Sequence, residues 1–210
     1  MKRFFCVAAV IFCCTAIFAQ TPVAKEKSDK MIAEISAATA SYKTISCDFV
    51  QNKTVSLLND VMKSEGKMTY KQSDKLKWEY VSPYEYMFVL NGAKVTIKNT
   101  KNTTVVDVKS SKMFQEIARI MMNSVTGSCL KDKTDFDVVM YDEGKLWHAK
   151  LTPLKKELKQ MFSTVNLYFD SDKKTVAAIE IKESNGDATR IDINNIRLNV
   201  SVDEATFVVN

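Results

Sequence analysis

From Lys75 to Tyr80 the side chains alternate, with Leu76, Trp78 and Tyr80 set against Lys75, Lys77 and Glu79. A period of two is that of a strand with one dry face and one wet face. The same rhythm sets Met68 and Tyr70 against Lys67, Thr69 and Lys71. Tyr86-Met87-Phe88-Val89-Leu90 is apolar on both faces and predicts a strand covered twice. Strand patterns predict elements over 44–56, 61–72, 75–82, 86–91, 94–99, 103–108, 134–141, 145–152, 160–169, 175–184 and 187–200, with a last short strand near Phe207. Two segments change to a helical period. From Ser28, an expected N-cap, Met31, Ile32, Ile35, Ala38 and Tyr42 recur on one face. From Ser111 the face is Phe114, Ile117, Ala118, Met121 and Val125. Met113, Ile120 and Met122 widen that second stripe into a flexible, methionine-rich surface.

The turns agree with this reading. Gly92 and Gly186 follow asparagine, the strongest short hairpin signal. Gly144 separates two strand-like runs, Gly127 follows the second helix as a terminator, and Gly66 is expected to open a strand. Connections are mostly short, so neighbouring strands should pair antiparallel as a meander. About eleven such strands curl rather than stay flat. On the residues the expected fold is mainly β (α+β): one curved antiparallel sheet with two helices.

The first residues read as an export signal over 1–19. Lys2 and Arg3 precede the apolar run Phe4 to Phe18, and Ala19 is a cleavage position before Gln20. Phe12 and Cys13, the residues before Cys13 and Cys14, are not the small residues that a lipidation signal needs. A single domain is expected over 20–210. With Lys2 and Arg3 removed from 30 basic residues, the remainder barely exceeds 25 acidic ones. The lysines are spread along strands, so the balance does not argue for nucleic acid. Cys6, Cys13 and Cys14 leave with the signal. Cys47 and Cys129 are expected as two separate thiols, since no spacing places them within bonding distance.

No reactive constellation emerges. His148, the single histidine, lies between Trp147 and Ala149 with no metal-ligand pattern and reads as an ordinary strand residue. No serine sits in a Gly-x-Ser-x-Gly elbow, and no glycine-rich loop is left for a phosphate. The expectation is a non-enzyme with no metal and no cofactor. The informative feature is the dry face that carries Trp78 and Tyr80, joined by Phe49 from the first strand. Such a face needs either a packed plug or a ligand. On the residues alone, a solid α+β core and a lidded apolar pocket both remain open.

Several segments resemble one family. "FVQNK" (Phe49 to Lys53) is followed by "GKMTYKQSDKLKWEYVSPYEYMFVLNG" (Gly66 to Gly92), with the tryptophan twelve residues after the glycine and the proline five beyond it. "IARIMM" (Ile117 to Met122), "LTPLKKELKQM" (Leu151 to Met161) and "VDEATFVV" near the end complete the series. In this order they resemble the periplasmic outer-membrane lipoprotein carrier family (LolA). The resemblance implies an unclosed antiparallel β-barrel of about eleven strands, with helices covering its mouth, whose apolar cavity receives the acyl chains of a lipoprotein released from the inner membrane. It also implies an inner-membrane ABC transporter as donor and an outer-membrane acceptor or membrane as destination. A monomer in the periplasm is expected. The cavity is expected to use Phe49, Met68, Tyr70, Leu76, Trp78, Tyr80, Phe88 and Leu90, and the lid Phe114, Ile117, Met121 and Gln72. The doubly apolar strand would meet the cavity on one side and a helix on the other.

One departure stands out. Family members often carry an arginine in the turn after the "GKMTY"-like strand, where it bonds to the lid, and this chain has Gln72 there. Glutamine lacks the charge and the donor fork, so the arginine's role does not carry over. A related periplasmic protein that binds or senses another lipid is the alternative function.

Overall fold

The computed structural model of the chain describes residues 21–58, 60–72, 74–110, 119, 122–123 and 126–209. The expected export signal and the lid residues Phe114, Ile117 and Met121 lie outside the described residues. The chain enters through Val23, whose N–H donates to Met140 O at 3.0 Å. Helix α1 (Lys25–Ala40) follows. It begins one turn before the expected N-cap: Ala24 holds that position, and the Ser28 N–H already donates to Ala24 O at 2.9 Å. Lys25, Glu26 and Lys27 are straight-chain residues that extend a helix at little cost.

The strands are β1 (Thr44–Val55), β2 (Asp60–Lys71), β3 (Lys75–Ser82), β4 (Tyr86–Asn91), β5 (Lys94–Asn99), β6 (Thr103–Asp107), β7 (Phe136–Asp142), β8 (Leu146–Pro153), β9 (Phe162–Asp170), β10 (Val176–Glu183) and β11 (Ala188–Leu198). They form one 11-stranded sheet in the order β6-β5-β4-β3-β2-β1-β11-β10-β9-β8-β7, antiparallel at every junction. Two meanders are therefore joined through β1 and β11, whose register runs from Ile45 opposite Leu198 to Thr54 opposite Ala188. β6 and β7 are edges, so the barrel is not closed.

Three local expectations are corrected. The segment before β9, of which only 160–161 were expected as strand, is a short helix, α2 (Lys156–Met161). Its Lys-Glu-Leu-Lys-Gln-Met composition favours helix, and Leu158 anchors it in the core. The region of Phe207 is a 3-10 turn (Glu204–Phe207), capped by Asp203, whose Oδ1 accepts from the Ala205 N–H at 2.9 Å. Gly66 lies in the middle of β2 rather than at its start. A Cβ there would meet Glu79 O at 2.2 Å and Phe49 Cζ at 2.3 Å, so the glycine makes room for a ring. Beyond Arg119, Met122, Asn123 and Thr126, which are helical, Gly127 takes φ +64°, a left-handed terminator conformation.

The dry face of the sheet and α1 share one core. Met31 and Ile35 of α1 meet inward residues such as Phe49, Leu76, Leu151, Leu167 and Phe169, all essentially inaccessible. Each such side chain contributes roughly 1.5–3 kcal/mol through burial. Val89 of β4 is equally dry but faces the other way. On that outer face Lys71 and Lys75 both pair with Glu204, and Asn91 Nδ2 donates to Phe207 O at 3.2 Å. The second cover over β4 is therefore the C-terminal 3-10 turn, with Phe207 buried in it, rather than a longer helix.

Candidate functional site

The inner face is built from alternate residues of successive strands. Register places Met68 opposite Trp78, and Trp78 opposite Phe88, while Tyr70 pairs Leu76 and Leu76 pairs Leu90. Phe49 of β1 lies opposite Gly66, and the empty glycine position lets its ring reach Trp78. The two rings stack with centroids 4.4 Å apart and an interplanar angle of 27°. Tyr80 meets Phe49 edge-on at 5.3 Å and continues to Tyr84 and Tyr86, each at 6.0 Å. Its hydroxyl donates to Gln51 Oε1 at 2.9 Å, which satisfies the polar end of a largely dry ring. Burial pushes the Tyr80 hydroxyl pKa up.

Of the expected cavity residues, Phe49, Met68, Tyr70, Leu76, Trp78, Phe88 and Leu90 are buried in one continuous apolar cluster, and Tyr80 packs against it half-buried. A cavity of about 30 Å³ opens inside this cluster, with Met68 and Trp78 on one wall. Sequence reasoning missed the rest of its lining. Tyr42, Ile45 and Cys47 come from the start of the sheet, and Ile179, Ile193 and Ile196 from β10 and β11. The signal for the last two was hidden by a change of phase. Asn195 adopts φ +52° and the β1–β11 register shifts nearby, so Ile193 and Ile196 share a wall despite their odd spacing.

Several polar or titratable groups among the described residues lie in or near this interior. Cys47 and Cys129 are both free and buried. Burial, aided by the neighbouring Asp48 charge, pushes the Cys47 thiol up to about 12, and burial does the same to Cys129. Such thiols are protonated and unreactive at neutral pH. His148 is buried on the outer face, stacked between Tyr141 (5.0 Å) and Tyr168 (4.6 Å). Its Nε2 lies 3.0 Å from Asn166 Oδ1, and its Nδ1 3.1 Å from Glu143 Oε1. It thus holds β7, β8 and β9 together, away from the interior. Among the described residues no group of three or more His, Cys, Asp or Glu is placed to hold a metal ion.

Two features bear on the cover of the half-barrel. Gln72 is exposed in the turn after β2, where its backbone N–H donates to Lys43 O at 2.8 Å. At the start of β7, Asp135 is almost inaccessible and binds two cations. Arg119 Nη1 donates to its Oδ2, and Lys155 Nζ lies 2.7 Å from its Oδ1 as an ion pair without hydrogen-bond alignment. Burial alone would raise the Asp135 carboxyl, but the two cations outweigh it and hold the pKa below the ordinary value.

The described residues thus form an unclosed antiparallel half-barrel whose apolar, ring-bearing inner face is covered in part by a helix. The chain belongs to the outer membrane lipoprotein carrier protein LolA family, whose model matches residues 40–210. It is 25% identical over 168 residues to an outer-membrane lipoprotein carrier protein of Methylococcus capsulatus, covering 80% of this chain and 77% of that one. It is 24% identical over 210 residues to the carrier of Legionella pneumophila, covering 100% and 95%. Among solved structures, the Pseudomonas aeruginosa MucA/MucB complex contains a chain of similar fold (TM-score 0.51, 10% identity), with 88% of this chain matching 61% of that one.

Proposed function

We propose that this chain is a periplasmic carrier that holds the acyl chains of lipoproteins in its apolar interior and moves them from the inner to the outer membrane. In this reading residues 1–19 are an export signal and 20–210 the carrier domain. An inner-membrane ABC transporter supplies the cargo, and an outer-membrane acceptor or the membrane itself receives it. The observation that carries the reading is the aromatic inner face of an unclosed sheet in a chain of this family. Phe49, Met68, Tyr70, Leu76, Trp78, Tyr80, Phe88 and Leu90 are the surface that acyl chains would meet, beneath a lid that includes Phe114, Ile117, Met121 and Gln72. Three acyl chains hold about 40 methylenes, and at about 0.8 kcal/mol each their exposure to water would cost roughly 30 kcal/mol. An apolar interior offsets most of that cost, so transfer between membrane and carrier can be nearly balanced.

The test is mass spectrometry of what copurifies with the mature protein from its native periplasm, combined with displacement of a fluorescent acyl probe by a triacylated lipopeptide. Copurifying lipoproteins and competitive displacement are expected. A protein that copurifies without acylated cargo and does not bind the probe would overturn the reading.

A further inference from the structure

Strand direction brings five connections to one end of the sheet: β1 to β2, β3 to β4, β5 to β6, β10 to β11, and β8 through α2 to β9. The exposed apolar side chains gather at this end. Of the ten most exposed large hydrophobic residues among those described, eight lie there, and only Val105 and Val208 do not. Leu57 and Leu58 at the β1–β2 tip are 92% and 68% exposed. Tyr84 stands on the β3–β4 turn, and Leu154 and Met161 flank α2. The leucine tip is braced: the Ser56 N–H and Oγ both donate to Asp187 Oδ1, at 3.0 and 3.2 Å, and the Leu58 N–H donates to Val55 O at 3.1 Å. Both leucines are thus held out into water, where a free loop would fold them back.

The same end is continuous with the interior. Trp78, on the cavity wall, stacks on Phe49; Phe49 meets Tyr80; and Tyr80 meets the exposed Tyr84. Apolar ring surface therefore runs from the cavity wall to the rim. We propose that this rim inserts into the apolar edge of a phospholipid bilayer, and that the Trp78–Phe49–Tyr80–Tyr84 track is the path of an acyl chain between bilayer and interior. The inference rests on the carrier reading above.

The occupant follows from the pattern. The apolar groups sit on separate turns with Asp60, Glu85 and Glu183 between them, so they form no single patch for a shaped protein pocket. A fluid apolar phase accepts separate prongs. Exposed Lys156 and Lys159 lie between Leu154 and Met161, where they would meet anionic headgroups, and a tyrosine suits the polar–apolar boundary.

The test is flotation of the mature protein with vesicles of phosphatidylethanolamine and phosphatidylglycerol, alongside acyl-probe binding in solution. Leu57→Ser/Leu58→Ser should lower the bound fraction at least about tenfold, with unchanged melting and unchanged probe affinity. Tyr84→Ser should slow probe transfer from carrier to vesicle. Absence of wild-type flotation, or equal flotation by the leucine variant, would overturn the proposal, as would transfer that needs a protein acceptor and ignores vesicles. Leucine-dependent flotation by a protein that binds no acyl probe would keep the rim and sink the carrier reading instead.

Discussion

Gly66→Ala should destabilise the protein through one contact geometry. Gly66 is inward-facing between Phe49 of β1 and Tyr80 of β3. An added Cβ would lie 2.3 Å from Phe49 Cζ and 2.2 Å from Glu79 O. The ring has little freedom to retreat, because Phe49 is 1% exposed and stacked on Trp78. The carbonyl belongs to the backbone of a paired strand. Overpacking of this kind costs about 1–3 kcal/mol, and a disturbed ring pair about 0.5–1.5 kcal/mol more. The lower entropy of the unfolded alanine chain returns about 0.4–1 kcal/mol. The net loss is about 2–3 kcal/mol, or a fall in Tm of about 5–10 °C for a domain of this size. Urea unfolding followed by tryptophan fluorescence, with a thermal melt, measures it. In a Phe49→Leu background the ring clash is relieved and the carbonyl clash remains, so the penalty should shrink without vanishing. A Gly66→Ala protein with wild-type midpoints would refute the reasoning. A penalty that Phe49→Leu leaves unchanged would show that the ring plays no part in it.

Asp135→Asn should lower stability by about 1–3 kcal/mol at pH 7, read from urea midpoints, because an inaccessible carboxylate leaves two half-exposed cations. The native Asp135 pKa is depressed, so its stabilisation is complete above the ordinary carboxyl range and is lost as pH falls through the lower native value. Stability of Asp135→Asn should therefore fall less on acidification than that of wild type, and parallel acid limbs would count against this. Cys47 and Cys129 should resist maleimide in the native protein and label rapidly in denaturant. Bound acyl probe should slow labelling of Cys47, which lines the cavity, more than that of Cys129, and equal protection would argue against occupancy there. Gln72→Arg should weaken apparent binding of an acyl probe at equal fold stability, since a charged donor favours a closed cover. Unchanged or tighter binding would make Gln72 an ordinary turn residue.

The strands were legible because the inner face is uniformly dry: Leu76 and Trp78 are buried while Lys75 and Lys77 are not, and a period of two survives. Within the family segments the place of Gly66 has a physical ground, since a Cβ there has no room. Phe49 could be assigned to the inner face, but its approach through Gly66 could not, since that depends on the register between β1 and β2. Cys47, Ile193 and Ile196 were missed as cavity neighbours because the β1–β11 pairing joins residues about 150 apart and contains a register shift. Ser28 misled because a good capping residue is tolerated one turn inside a helix that starts on lysine and glutamate. Gln160 and Met161 misled because a run ending in Met161-Phe162 continues into strand without a breaker.

The size of the cavity sets the remaining problem. The cavity walled by Met68 and Trp78, about 30 Å³, is far smaller than an acyl chain, so on the carrier reading loading at that wall needs the surrounding groups to move. The sheet cannot supply the space, since every internal strand is paired on both sides. α1 is tied at both ends: Lys27 to Asp142 at 2.7 Å, Glu34 to Lys174 at 3.0 Å, and the Tyr42 hydroxyl to Lys173 O at 2.9 Å. The connection from β6 to β7 differs. Its described helical residue Arg119 is held at Asp135, a carboxylate shared with Lys155. Without Arg119, Asp135 would still pair with Lys155, so its buried charge would not be left alone. Of these restraints the Lys27–Asp142 pair is the more exposed and costs less to break, while the Asp135 cluster is drier and costs more.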